Sequence, residues 1–301
     1  MKTIYIITPS SNISDEILLN PDINKQIIKS EEFFIKINIK VLYWKLFSKS
    51  YFWYWWTIDD RINELNEWFL NNEIDYIISS QWWYNSNELL KNLDYNLIKE
   101  NYKPIIWLSD ITVLLNAIYK KTWKITYHGY DFIWQIWKSA TNISENKLDN
   151  FLNKWLLEKS IKWEILNKNI NNWKWILIWW CLPSYSLILW TEYDPIELNK
   201  DFIFFIEDIW ENYERIISYI DQLLNNNKFI DNCKWFVIWN FSFCEFENKK
   251  NYDIYKIINN KLDFLNISIL KISNIWHIVE NPILPIWQEV EIIDNILMLN
   301  N

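Results

Sequence analysis

The chain reads as an α/β protein with a mostly parallel sheet, built as two units. Three observations predict this. Short apolar runs alternate with amphipathic helical stretches through the first half. A length of 301 residues is enough for more than one core. From about residue 175 the pattern changes to short strands mixed with one clear helix.

Each element has a local reason. "TIYII" is a first strand, and the chain turns polar after it, which argues against a secretory signal. "KINIKVLYW" is a second strand. "TIDDRINELNEWFLNNE" is a helix starting near Asp59, followed by the strand "IDYIISS". "SNELLKNLDYNLIKEN" is helical. "KPIIWLS" is a strand running into a helix over 110–121, with apolar spacing at Ile111, Leu114, Leu115 and Ile118. The polar, helical region 141–173 links the units, with boundaries at 1–168 and 169–301. In the second unit "ILIWW", "DFIFFIED", "FVIWNF" and "SILKIS" are strands, and "ENYERIISYIDQLLNN" is a helix. There is no internal repeat, and the Asn-rich stretches read as surface loops of an AT-rich gene.

Composition narrows the function classes. The net charge is −8 with no basic run, so neither nucleic acid nor an anionic membrane is an expected partner. No apolar run approaches the roughly 20 residues that span a bilayer. Three cysteines, Cys181, Cys233 and Cys244, form no CxxC pair and no metal spacing. A reducing cytoplasm, no disulfide framework and no cysteine metal site are the expectation.

One feature conflicts with the fold. The chain has 23 tryptophans and one glycine, Gly129. An average chain of this length carries roughly 20 glycines, and tight turns and helix ends need their positive φ. Several Trp occupy such places. Trp123 follows the helix ending in Lys120-Lys121. Trp287 sits in the turn of "LPIWQEVEI", and Trp210 and Trp276 come just after strands. Most of these Trp are therefore read as glycine, encoded by UGA in a code where that codon means Gly. Glycine and tryptophan together number 24, an ordinary glycine count. Trp68 and Trp155 lie within helical patterns, where glycine is a poor choice, and are left open. Under this reading "SYFWYWWT" (50–57) is the glycine-rich loop "SYFGYGGT".

"PIIWLSDIT" is the strongest candidate site. A buried strand runs straight into a helix with Ser109 on the turn. Such a serine is either an exposed nucleophile beside oxyanion-binding N–H groups, starting with Asp110, or an N-cap. The second glycine of a G-x-S-x-G elbow is absent, since position 111 is Ile. A base could come from His128 or His277, the two histidines of the chain. An orienting carboxylate could come from Glu207 or Asp208, at the end of a very apolar strand.

With Trp restored to Gly, the segments "GTIDDRINELNEGF" (56–69), "GGYNSNELLKNLDY" (82–95), "KPIIGLSDITVLLNAIYKKTG" (103–123), "ILIGGCL" (176–182), "LGTEYDP" (189–195), "FIEDIGE" (205–211) and "GHIVENPILPIG" (276–287) resemble the LD-carboxypeptidase serine peptidases. That family includes the microcin C self-immunity peptidases. The resemblance implies a flavodoxin-like first domain, similar to class I amidotransferases, and a smaller swivelling α/β second domain. It implies Ser109 as nucleophile, His277 as base and Glu207 as the orienting acid. Their order is Ser…Glu…His, with spacings of 98 and 70 residues. It further implies an oxyanion hole from the N–H groups of Asp110, Trp82 and Trp83, a peptide substrate, and a homodimer. Gln81 and "GGYNSN" look like the self-immunity branch, whereas "GHIVEN" and "EDIGE" look like the murein enzymes. Asn85, Ser86 and Asn87 either line the substrate pocket or cap the following helix. Three functions stay open: trimming the terminal D-residue from murein peptides, cleaving a peptide-nucleotide antibiotic, or binding without catalysis.

Overall fold

A computed structural model describes residues 1–10, 20–44, 57–81, 85–137, 145–157, 160–162, 164–167, 174–197, 200–247, 251–272, 282–293 and 296–299. Trp82, Trp83, His277 and the 50–56 loop lie outside these residues.

The first half alternates as expected. β1 (Lys2–Ile7) is followed by α1 (Asp22–Lys36), β2 (Ile39–Tyr43), α2 (Ile58–Leu70) and β3 (Tyr76–Ser79). A 3₁₀ turn (Ser86–Asn92), α3 (Tyr95–Glu100), β4 (Ile105–Trp107), α4 (Thr112–Thr122) and β5 (Thr126–His128) come next. Helix α1 was not evident in the sequence. Its inward face is Ile23, Ser30, Phe33 and Phe34, and the serine breaks the apolar stripe. The Ser30 hydroxyl is satisfied by donating to the Phe132 carbonyl at 2.6 Å. Helix α2 begins where Thr57 Oγ1 accepts the Asp60 N–H at 3.1 Å, with Asp59 and Asp60 in its first turn.

A π-helical turn (Phe132–Ile136) leads to α5 (Glu145–Lys154), β6 (Ser160–Lys162) and β7 (Glu164–Asn167). Then follow β8 (Lys174–Cys181), α6 (Leu182–Ser186), β9 (Phe202–Ile209), α7 (Tyr213–Leu223), α8 (Asn227–Asn232), β10 (Cys233–Ser242), α9 (Ile254–Leu262) and β11 (Ser268–Lys271). β12 (Leu284–Ile286), β13 (Glu289–Ile293) and β14 (Ile296–Leu299) complete the chain.

Two sheets result. The first has six strands in the order β12-β5-β4-β3-β1-β2, parallel from β5 to β2 with β12 antiparallel at the edge. The second has eight strands, β6-β14-β13-β8-β9-β10-β11-β7, with a parallel centre β8 to β11 and antiparallel flanks. Sheet membership crosses residue 168 in both directions. β6 and β7 belong to the second sheet, and β12 returns to the first. The second sheet is also the wider one. The sheets meet at α4. Trp287 stacks on Tyr119 with centroids 4.6 Å apart, and its indole N–H donates to Asn116 Oδ1 at 2.7 Å.

Backbone angles sort the tryptophans. Among the described residues ten that are not glycine have positive φ, and five of these are Trp123, Trp155, Trp190, Trp210 and Trp287. Three others are asparagines, which tolerate this region. Trp155 is not within a helix as its surroundings suggested. It follows α5 at φ 56°, its N–H bonds to Phe151 O, and Leu156 N–H bonds to Asn150 O at 3.0 Å. That is the helix-ending motif in which glycine is the usual residue. Trp68 is different: it is buried inside α2, 4.2 Å from the Tyr5 ring and edge-on to Trp44. Gly129 needs to be glycine for space, because a Cβ there would lie 2.7 Å from Ile106 Cγ2.

Trp123, Trp190 and Trp210 are more than half exposed. A left-handed conformation costs a bulky residue about 1–2 kcal/mol. Urea unfolding of Trp190→Gly and Trp123→Gly should therefore show a gain of about 1 kcal/mol each. Trp68→Gly should lose more than about 3 kcal/mol.

Candidate active site

The nucleophile candidate sits where the first sheet delivers it. β4 lies between β3 and β5, and its three residues are fully buried. Leu108 is extended, and the next residue, Ser109, turns into the left-handed region at φ 57°. A short 3₁₀ turn, Ser109–Ile111, then feeds α4. The carboxyl end of a central parallel strand is where open α/β sheets place their chemistry. The turn is bonded from several sides. Thr112 Oγ1 donates to the Ser109 carbonyl at 2.6 Å, and Gly129 N–H donates to the Trp107 carbonyl at 3.0 Å. Ser86 N–H donates to Asp110 Oδ2 at 3.0 Å, while Ser86 Oγ donates to the Asp110 carbonyl at 2.9 Å. Burial pushes the Asp110 carboxyl up to about 6, against the lowering effect of the Ser86 bonds and the Arg61 charge.

Trp107 is wholly buried at the end of β4, and its indole N–H has no hydrogen-bond partner among the described residues. An unmet buried donor costs roughly 1–3 kcal/mol.

The carboxylates come from the second sheet. Glu207 and Asp208 are buried near the end of β9, and Glu207 pairs in register with Cys181 of β8. β8 and α6 pack against the Ser109 turn, and α6 starts directly after Cys181, the residue paired with Glu207. Asp208 Oδ1 accepts the Ile209 N–H at 2.8 Å. Burial first, then the Glu207 charge, hold its carboxyl well above the usual range.

The histidines divide. His128 is buried at the end of β5, in register with Trp107, its ring 6.2 Å from that of Trp239. His277 is outside the described residues, but both flanks of its segment are placed. On the upstream side, Lys271 pairs with Ile238, which also pairs with Ile206, so β11 ends level with the residue before Glu207. On the downstream side, Leu284 pairs with His128 at the carboxyl end of β5. The described flanks of that segment thus leave the second sheet level with Ile206 and rejoin the first sheet on β5, the neighbour of Ser109's strand.

Asn85 starts the 3₁₀ turn in the left-handed region at φ 74°. Ser86 is buried and bonded to Asp110, and Asn87 is half-buried. The sequence reading did not single out Thr112, nor the pair formed by Arg61 and Glu88 at 2.6 Å. A signal for Arg61 existed: it shares a helical face with the buried Leu65 and Trp68. Among the described residues no group of three acidic, cysteine or histidine side chains could hold a metal ion. None of their helices is long and apolar enough to cross a membrane.

Family models give the context for this geometry. The LD-carboxypeptidase N-terminal domain matches residues 4–129, and the LD-carboxypeptidase C-terminal domain matches residues 178–292. The chain belongs to the LD-carboxypeptidase family. The first match contains Ser109, and the second contains Glu207 and His277. Microcin C7 self-immunity protein MccF of Escherichia coli is 40% identical over 104 residues, 35% of this chain and 30% of that protein. Putative carboxypeptidase YocD of Bacillus subtilis is 41% identical over 76 residues, 25% of this chain and 23% of that protein. These alignments span less than a third of each relative. The fold match is broader. MccF in complex with aspartyl sulfamoyl adenosine superposes with a TM-score of 0.84 at 24% identity, over 100% of this chain and 96% of that one. Muramoyltetrapeptide carboxypeptidase from Oxalobacter formigenes gives 0.83 at 18% identity, over 98% and 97%. The two-domain LD-carboxypeptidase fold therefore covers the whole chain.

The Asp110 carboxyl has a sign that can be checked. Its folded value of about 6 lies above its ordinary value of 3.8, so the folded state holds the proton more tightly. Its cost to stability is absent below about pH 4, grows as pH rises to about 6, and is constant above. Chemical denaturation of wild type and Asp110→Asn across pH 3.5–8 should show wild type losing roughly 2–3 kcal/mol relative to the variant over that window.

Proposed function

We propose that the protein is a serine carboxypeptidase that hydrolyses the amide bond before a terminal D-amino acid in murein peptides. The observation that carries this reading is the left-handed turn at Ser109, at the carboxyl end of β4. In this mechanism Ser109 Oγ attacks the amide carbonyl and His277 takes its proton. Glu207 holds the imidazole tautomer and stabilises the imidazolium. The Asp110 N–H, with those of residues 82 and 83, binds the oxyanion. His277 then protonates the leaving amine, and a water molecule deprotonated by the same base releases the acyl group. The flanks of the 277 segment support the assignment, since they leave the second sheet level with Ile206 and rejoin the first on β5, the neighbour of Ser109's strand. No cofactor or metal enters this scheme. A homodimer in the cytoplasm is part of the same proposal.

A second substrate is favoured by the likeness to MccF, whose structures hold aspartyl sulfamoyl adenosine and glutamyl sulfamoyl guanosine. It is a peptide-nucleotide antibiotic, cleaved by the same residues. Purified protein with glycine at the turn positions should be assayed on a murein tetrapeptide and on a peptidyl-aminoacyl-adenylate. Release of the terminal D-residue is expected from the first, and Ser109→Ala should lower kcat by at least about 10³-fold. Cleavage of the adenylate alone would transfer the chain to the second substrate. No cleavage of either would leave a binding protein.

The working enzyme in this proposal carries glycine at most of the tryptophan positions. Positive φ at Trp123, Trp155, Trp190, Trp210 and Trp287 supports this, as does the partnerless indole of Trp107. Tandem mass spectrometry of the protein from its native source should read glycine at 107, 123, 155, 190, 210 and 287. It should read tryptophan at 68. Tryptophan at 82, 83 and 107 would sink the recoding.

A further inference from the structure

The Ser109 turn is held by more bonds than a helix start requires. Ser86 grips the next residue twice, giving its N–H to the Asp110 carboxylate and its hydroxyl to the Asp110 carbonyl. Both residues are buried. Behind them stands Arg61, 1% exposed, whose guanidinium donates to the Pro9 carbonyl at 2.9 Å and to Glu88 Oε2 at 2.6 Å. Pro9 lies just beyond β1, and Glu88 lies two residues after Ser86. One arginine of α2 thus ties the end of β1 to the 3₁₀ turn, and Ser86 ties that turn to the nucleophile.

The arrangement is a costly way to cap a helix. A buried carboxylate opposes folding, whereas a solvent-exposed serine cap would satisfy the same orphan N–H groups without burying a charge. What the clamp adds is fixation of both peptide planes around Asp110: Thr112 Oγ1 holds the Ser109 carbonyl, whose plane carries the Asp110 N–H, and Ser86 holds the Asp110 carbonyl and side chain on the other side. Ser109, one residue earlier, is kept from relaxing to negative φ. A non-glycine residue keeps a sparsely populated conformation only where its surroundings over-determine it.

We infer that the Asp110 carboxyl and the Ser86 side chain are positioning groups, which hold the Ser109 turn in its left-handed conformation without themselves touching substrate. The inference rests on the proposed reading of Ser109 as nucleophile. Releasing the clamp lets the hydroxyl drift, and a displacement near 1 Å costs about 10²-fold in rate. Asparagine at 110 keeps an oxygen of the same shape facing the Ser86 N–H, so it restores most of what alanine loses.

The test uses the full chain with glycine at the turn positions, compared with Asp110→Ala, Asp110→Asn and Ser86→Ala. Three readings are taken: kcat and KM on the cleaved peptide, the rate at which a small fluorophosphonate labels Ser109, and amide hydrogen exchange over residues 108–112. Asp110→Ala should lower kcat and labelling about 10- to 100-fold, with KM within about threefold, and should speed exchange in the turn. Asp110→Asn should recover to within about fivefold, and Ser86→Ala should fall between. A kcat per labelled site equal to wild type in Asp110→Ala, whatever its melting temperature, overturns the inference. So does an equal loss in the alanine and asparagine variants. If Asp110→Ala does not fold, Ser86→Ala decides, because it removes only a hydroxyl: unchanged kcat and exchange overturn the clamp. If the parent protein cleaves no peptide, the proposed function fails, while labelling and exchange still report on the clamp.

Discussion

The left-handed turn at Ser109 is the constraint around which the rest of the structure is arranged. A strand that ended in an ordinary turn would carry its serine along the helix axis as a cap. Positive φ instead swings the residue off the strand end, with the following N–H groups beside it. That geometry is unfavourable by itself, so neighbours must hold it. β3 and β5 flank the strand, Thr112 and Ser86 bond the turn, and Gly129 bonds the carbonyl just before it. The lone glycine stands where a Cβ would strike Ile106 of β4. The close approach of β5's end to β4 therefore depends on it.

The second sheet takes its place from the same centre. Its parallel strands run β8, β9, β10, β11, so β8 and β9 end side by side and present Cys181 beside Glu207. β8 packs on the Ser109 turn, and β12 crosses back to close the edge of the first sheet against β5. The return strand makes the two sheets one working unit, because the segment between β11 and β12 starts at one sheet and ends at the other. Backbone bonds fix that return: the N–H of residue 287 donates to the Leu177 carbonyl of β8 at 2.7 Å and the Leu177 N–H to the Gln288 carbonyl at 3.0 Å, and both would survive a glycine at 287.

The fold was legible where periodicity was clean. β1, β3, β4 and the helix after Ser109 follow directly from buried apolar runs and from Ile111, Leu114, Leu115 and Ile118 on one face. α1 was hidden because Ser30 interrupts its stripe and because its carbonyl partner lies 102 residues away. β6, β7 and β14 were hidden because strands of three or four residues, at or next to a sheet's edge, carry too few residues to alternate. Of the site, Ser109, Glu207 and His128 could be read as strand-end residues. The double bond from Ser86 to Asp110 could not, since no local pattern says that two turns 24 residues apart will face each other. Trp155 misled for a different reason. Its neighbours continue the helical pattern, and only the backbone shows that α5 has already ended.

Positive φ occurs in this chain in two kinds of setting, and the difference bears on what the tryptophans are. At Ser109 the strain is held by hydrogen bonds from three neighbouring segments, and it places a hydroxyl where chemistry is expected. At Trp190 and Trp210 the side chains are 58% and 64% exposed, and the bonds at the turn come from the main-chain N–H groups, that of Trp190 reaching Asp194 Oδ2 at 3.3 Å. Trp210's N–H reaches the Ser242 carbonyl at 2.9 Å, a bond any residue could make. Glycine removes the strain at these positions and leaves every backbone bond in place. The same substitution at Trp68 would open a cavity against Tyr5 and Trp44. Backbone conformation thus sets Trp68, packed inside a helix, apart from the tryptophans at positive φ, where glycine is at ease, and under the proposed recoding the strain at Ser109 is the one that places a hydroxyl.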